Sequence, residues 1–314
     1  VRRHCATCFC NLSVEPGTRG PMVAAGVVTA LGTVSNSYAE DTQEACARCL
    51  ANLSCAAGCV ATMVREGAVP ALMMIVMVRS VQGATKHLCA RALLNLTGDD
   101  TQGLLLEEGA AQAFAELAAS QREEATLGLC AQALCMFSCF PAGRRKMVER
   151  KRTMEGLFAL VTARDPGTRV NCCRAVCNLL LFEESCHRAA AAGALGVLRV
   201  LATHAAAAAA TSCEIQTRVP AAMAVLVEHE RARILMMKGD SVAILIYLAR
   251  GRGVRAACAA VRALTCFAYQ KTMRRPLVRA GAAAVLVRLV LGVDDDGPPP
   301  SKGQGGAGGK GGGR

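Results

Sequence analysis

Residues 40–54 sort by side. Wound as a helix at about 100° per residue, they place Cys46, Ala47 and Leu50 on one face and Arg48 and Asn52 on the other. The same division recurs downstream. Counting back from the asparagine, position −2 holds Leu50, Leu93, Leu134 and Val176, and position −5 holds Ala47, Ala90 and Ala131. Position −4 holds Arg48, Arg91, Gln132, Arg174 and Arg262. This Arg and the Asn of one helix are an i, i+4 pair on a single outward stripe.

The stripe ends in a short phrase that returns at a fixed interval. Asn11-Leu12-Ser13 comes back as Asn52-Leu53-Ser54, Asn95-Leu96-Thr97, Met136-Phe137-Ser138 and Asn178-Leu179-Leu180. Two worn copies follow, Ala224-Val225-Leu226 and Cys266-Phe267-Ala268. Position 11 to position 266 is 255 residues in six steps, or 42.5 per step. Gly26, Gly67, Gly109, Gly193, Gly239 and Gly281 form a second column in phase, and 26 to 281 is again 255. Two independent columns with one period of roughly 40–47 residues, and only helical patterning, predict an all-α solenoid.

Each unit reads as three helices. After each Gly comes an apolar helix, such as the one from Gly67 to Leu72, where Pro70 sits in a first turn that has no use for its N–H. A polar joint follows, as at 36–42 or 163–168, and then the longer helix that ends at the Asn column. A short amphipathic stretch, for example 59–65, leads to the next Gly. Whole units are expected at about 12–54, 55–97, 98–139, 140–180, 181–226 and 227–268, within an array covering 1–291. The fourth unit lacks its Gly, with Lys151 and Arg152 near the place, and the Ala205–Ala210 run lengthens the step from 178 to 224. Met73, Met74 and Met77 are expected in the core. Residues 292–314, rich in Asp, Pro, Gly and Lys, are expected to be disordered.

Cys46-Ala-Arg-Cys-Leu-Ala-Asn-Leu-Ser54 and Cys89-Ala-Arg-Ala-Leu-Leu-Asn-Leu-Thr97 resemble the third helix of the armadillo repeat family, and the Gly-Ala-x-x-x-Leu segments resemble its second helix. The resemblance implies a right-handed superhelix of three-helix repeats whose third helices line a concave groove. It implies that an Asn column can bond the backbone of an extended peptide. The groove residues are then Asn11, Arg48, Asn52, Arg91, Asn95, Gln132, Arg174, Asn178 and Arg262. The guanidinium fork suits carboxylate or phosphate, so the expected partner is an acidic or phosphorylated extended segment of a protein. Nuclear-import adaptors of this family place Trp at the −4 column. This chain has no Trp, and a positive groove would repel their basic signals.

Charge and cysteine content refine this picture. The net charge of +12 favours acidic partners without choosing among them. Eighteen cysteines suggest disulfides or zinc, but the period argues otherwise. Position −6 is Cys5, Cys46, Cys89, Cys130 and Cys172, and position −3 alternates Cys8 and Cys49 with Ala92, Ala133, Ala175 and Ala263. Cysteine therefore stands in for alanine as a small buried residue, and no metal or other cofactor is expected. So many free thiols suit a reducing, intracellular compartment, with cytoplasm the first expectation and nucleus or cilium as alternatives.

Arg144, Arg145, Lys146, Arg150, Lys151 and Arg152 form a secondary basic patch in the sequence. A solvated helix face is the plainer account of it. Without aromatic stacking platforms nearby, nucleic-acid binding is disfavoured. No segment reaches the roughly 20 apolar residues of a membrane span. No catalytic constellation is present, so the expected role is a non-enzymatic protein-binding scaffold. The alternatives are an interaction array within a cytoskeletal or axonemal protein or a ubiquitin-ligase subunit, and an RNA- or lipid-surface binder. The chain opens in a third helix and stops after a second, with no polar cap at either end. This predicts a piece of a longer protein, or an array that self-associates.

Overall fold

The computed structural model describes residues 1–37, 39–78, 81–98, 100–205, 212–238, 241–251 and 253–292. Among the described residues every regular element is helical. The chain begins with α1 (Arg2–Leu12). Then come α2 (Pro16–Ala24), α3 (Val27–Val34) and α4 (Glu40–Leu53), a short, a middle and a long helix. The triplet repeats as α5 (Val60–Arg65), α6 (Ala68–Met77) and α7 (Gly83–Asn95), and as α8 (Gln102–Glu107), α9 (Ala110–Ser120) and α10 (Glu124–Ser138). It continues through α11 (Pro141–Glu149), α12 (Lys151–Ala159) and α13 (Pro166–Leu181), and then α14 (Glu183–Ala191), α15 (Ala194–Ala205) and α16 (Ser212–Leu226). The last full triplet is α17 (Glu230–Lys238), α18 (Ser241–Arg250) and α19 (Val254–Tyr269), followed by α20 (Lys271–Arg279) and α21 (Ala282–Leu291). Long helices pack on long helices, α1 on α4, α4 on α7, α10 on α13 and α16 on α19, and α9 lies on α12 in the layer of middle helices. Residues 206–211, Gly239 and 293–314, which carry the alanine run, one glycine of the column and the expected disordered tail, lie outside the described residues.

The glycine column has a backbone reason. Gly26, Gly67, Gly109, Gly193 and Gly281 all adopt φ between +79° and +105°, where a Cβ is strained. Each ends a short helix and starts a middle one. At Gly26 the preceding Ala25 N–H reaches the Pro21 carbonyl at 2.9 Å. In the fourth unit the chain turns through extended backbone at Arg150 (φ −113°, ψ 120°), so no glycine is needed.

Cys46, Cys89, Cys130 and Cys172 are fully buried at equivalent positions, as are Cys49, Ala92, Ala133, Ala175 and Ala263. Cys5 and Cys8 break the expectation. They are exposed, because α1 has helices packed on one side only. Met74 and Met77 also leave the expected core, at 43% and 41% exposure. Their side of α6 faces away from the layer of long helices, and Val69, Leu72, Ile75 and Val76 fill the interior instead. Burial pushes the thiols of Cys46, Cys49 and Cys89 up to about 12. A thiol-reactive probe should therefore modify Cys5, Cys8, Cys55, Cys139 and Cys258 in the native protein. The buried cysteines should react only after denaturant is added, which peptide mapping of the labelled sites would check.

Asp165 opens α13. Its carboxylate accepts from the Thr168 N–H and hydroxyl, both at 2.7 Å, and these bonds hold its pKa below the usual carboxylate range. A depressed carboxyl stabilises the fold above its unfolded pKa, and that stability is lost as pH falls through the folded value. Asp165→Ala should lower stability by about 1 kcal/mol at neutral pH, with the difference from wild type shrinking below about pH 4. Urea titrations at two pH values would measure this.

Candidate functional site

The −4 stripe faces outward, but its charges differ from repeat to repeat. Arg48 on α4 is half-exposed and ion-pairs with Glu44 one turn back. Arg91 on α7 is exposed and makes no hydrogen bond or ion pair among the described residues. Gln132 on α10 is exposed and uncharged. Arg174 on α13 is clamped by Glu214 of the next long helix through two bonds, at 2.7 and 2.8 Å, and Glu214 also binds Arg218 at 2.6 Å. These bonds hold Glu214 below the usual carboxylate range. The fifth unit has Pro220 in this column, inside α16. Arg262 on α19 is exposed without a carboxylate partner among the described residues. The column is thus open at Arg91 and Arg262, paired within its own helix at Arg48, paired across helices at Arg174 and interrupted at Gln132 and Pro220.

The Asn column has a use within the fold that its spacing did not reveal. Asn52 Nδ2 donates to Ser13 Oγ at 3.0 Å, Asn95 to Ser54 at 3.1 Å, and Asn178 to Ser138 at 3.0 Å. Each serine in turn donates to a carbonyl three residues back in its own helix. The amide oxygens are left over, and Asn52 keeps one N–H, while Nδ2 of Asn95 and of Asn178 also reaches the Cys55 and Cys139 sulfurs at 3.6 and 3.7 Å. Asn11 is exposed and has no such serine before it. Met136, Ala224 and Cys266 cannot make the bond at all.

A cleft of about 610 Å³ runs between α4 and α7, where Arg48, Asn52 and Arg91 come together with Arg19, His87 and Glu123. The size lies within the roughly 300–1,000 Å³ of ligand sites. At one wall the Thr126 hydroxyl donates to Glu123 at 2.8 Å, so His87 Nδ1–H donates to Thr126 at 2.9 Å. That leaves three arginines against one nearby carboxylate, Glu123, and the already paired Glu44.

The run at 144–152 does not form the basic patch that its sequence suggests. Arg144 is only 3% exposed. Its guanidinium donates to the carbonyls of Ser138 and Cys139 at 3.1 and 3.0 Å, pairs with Glu184 at 2.7 Å, and lies 3.6 Å over the Phe182 ring. Lys146 faces Glu149, Arg150 bonds Gln112, Lys151 faces Glu155 and Arg152 pairs with Glu116. Arg145 is exposed and makes no hydrogen bond among the described residues. The burial of Arg144 belongs to a recurring device. Arg19 donates to Ser13 O at 2.9 Å and Arg274 to Ala268 O at 2.9 Å, so a short-helix Arg satisfies the orphan carbonyls of a long helix. Asn11 to Arg19, Met136 to Arg144 and Cys266 to Arg274 share one spacing, and that spacing was the available sequence signal.

Among the described residues no group of three or more His, Cys, Asp or Glu is arranged to hold a metal ion. No single helix there is long and apolar enough to cross a membrane.

No family model and no curated protein matches the chain. Solved structures do. A computationally designed armadillo repeat protein for modular peptide recognition superposes with TM-score 0.58 at 16% identity, covering 76% of this chain and 99% of its own. A designed armadillo repeat protein in complex with the peptide (KR)4 gives 0.56 at 16%, over 76% and 99%. An engineered protein gives 0.55 at 20%, over 76% and 97%. At these identities the likeness shows the fold alone, and that fold is an armadillo-type all-α solenoid.

Proposed function

We propose that the chain is a non-enzymatic scaffold whose concave groove binds an acidic or phosphorylated extended segment of a partner protein. The observation that carries the reading is the α4–α7 cleft, where Arg91 has no carboxylate of its own and stands beside Arg48 and Asn52. An incoming carboxylate or phosphate gains charge-assisted bonds there, Asn52 keeps an amide oxygen and one N–H for a peptide backbone, and Asn95 keeps its amide oxygen. The designed neighbour bound to (KR)4 supports peptide recognition on this fold. The guanidinium groups in this cleft favour the opposite charge. Because Glu214 already occupies the Arg174 and Arg218 guanidiniums, recognition of acidic groups centres on the α4–α7 cleft. The free thiols suit an intracellular setting.

The test is fluorescence anisotropy with a labelled peptide of alternating Glu and Ser, and with a phosphoserine version. Arg48→Glu and Arg91→Glu should each weaken binding by about 1.5–3 kcal/mol, the worth of one hydrogen bond to a charged group. Arg145→Glu/Lys151→Glu, on the 144–152 run, should leave affinity unchanged. If the two cleft variants bind as tightly as wild type while their helical circular dichroism is intact, another surface does the binding. If instead the 145/151 variant loses binding to RNA or anionic vesicles, the anionic-surface reading gains.

A further inference from the structure

A second recess lies where the Asn column is broken. Thr97, Gln102, Met136 and Phe140 enclose about 250 Å³ together with Gly98 and Cys139. This volume is below the roughly 300 Å³ at which small-molecule sites begin, so it fits one side chain rather than a free metabolite. The walls are largely apolar. Met136 occupies the position that Asn95 and Asn178 hold in the neighbouring repeats, Thr97 is two residues beyond Asn95, and Cys139 Sγ lies 3.7 Å from Asn178 Nδ2. The recess therefore sits on the line of the groove, one repeat beyond the Arg91 cleft.

One polar group in it has no partner. Gln102 is 6% exposed, and its side-chain amide makes no hydrogen bond among the described residues. The Thr101 hydroxyl beside it is fully used, donating to Leu96 O at 2.6 Å and accepting from the Gly98 N–H at 3.0 Å. The Gln102 amide atoms are not sealed from water, so they are open to a ligand, and the backbone of an extended peptide offers complements to their one acceptor and two donors. Phe140, 42% exposed at the rim, offers a ring face to an entering aliphatic group.

We infer that this recess is a subsite for a single apolar side chain of the segment lying in the groove, with the Gln102 amide pairing that segment's backbone. The inference rests on the reading that the groove takes an extended segment, and it adds a sequence requirement to it. Neighbouring helices pack about 8–10 Å apart and an extended chain rises about 3.3 Å per residue. The apolar residue therefore lies roughly three positions from the acidic one, on the side set by the direction in which the segment runs.

The probes are a short Glu/Ser peptide carrying one Leu at that spacing, its twin with Ser in place of Leu, and a neutral Gly/Ser peptide with the same Leu. The readout is the ¹³C signal of the Met136 ε-methyl, assigned by its loss in Met136→Leu. The Leu-bearing peptides should move this signal and the twin should not. The acidic Leu peptide should bind about tenfold tighter than its twin. Phe140→Ser should remove that gain while leaving the twin's affinity intact, and Gln102→Ala, which takes away a backbone partner, should weaken both peptides alike. A Met136 methyl unmoved by every Leu-bearing peptide, the neutral one included, overturns the subsite whatever the arginines do. A methyl that moves with the neutral peptide, while acidic charge brings no affinity, upholds the subsite and rejects the electrostatic reading of the groove.

Discussion

Gly156→Ala is expected to lower the free energy of unfolding by about 3 kcal/mol, near the upper end of overpacking effects. A Cβ at Gly156 would fall 2.2 Å from the backbone oxygen of Ala115 and 2.6 Å from its Cα. These atoms belong to α9, against which α12 lies. A backbone obstacle cannot rotate aside as a side chain could, so the two helices must separate. Alanine's better helix propensity works the other way by about 1 kcal/mol, and the sign of the net change shows which effect wins. Gly103 is the control. It is exposed on α8 with nothing within 4 Å of a new Cβ, and Gly103→Ala should be neutral or slightly stabilising. Urea unfolding followed by circular dichroism measures both. Equal stability of Gly156→Ala and wild type would mean that the α9 and α12 backbones do not touch.

Arg144→Met should also cost about 3 kcal/mol. Methionine keeps most of the buried volume but leaves the Ser138 and Cys139 carbonyls without their donor, and each such bond to a charged group is worth about 1.5–3 kcal/mol. The stacking on Phe182 goes with them, and Glu184 is left without its partner. Arg144→Lys should recover little, since one ammonium cannot span two carbonyls and a carboxylate while covering a ring. If Arg144→Met were no worse than Arg145→Met, the side chain would be the solvated residue that its sequence context suggests.

The contrast between these two arginines shows what was legible in the chain. The fold was readable because solenoid packing repeats the same burial at one period, so Cys46, Cys89, Cys130 and Cys172 announce one another. The left-handed glycines were equally visible, since only the backbone conformation explains a Gly at that phase. The outward orientation of Arg48 and Arg91 followed from helix geometry. The partners did not. Glu214 lies 40 residues from Arg174, and one-repeat separations of this kind also join Arg144 to Glu184 and Asn95 to Ser54. Periodicity tells which residues share a column, while these bonds run between columns. For the same reason nothing in the local sequence marked Gly156 as a close approach, or Gln102 as an unpaired amide beside the recess.

The Asn-to-Ser bond has a consequence for how such a chain can be assembled. Asn52 reaches back to Ser13, and two residues later Ser54 receives Asn95. The tripeptide Asn52-Leu53-Ser54 is thus both plug and socket, the two halves of a connector in standard orientation. Modules of this kind are interchangeable. A copy inserted, deleted or exchanged between two others finds a fitting on each side without any compensating change. Met136 is where that interchangeability ends, because the plug is missing there and the Thr97 hydroxyl receives no Asn. Asn178 still plugs into Ser138, but Leu180 offers no socket and Ala224 and Cys266 no plug, so the later junctions too are specific to their places.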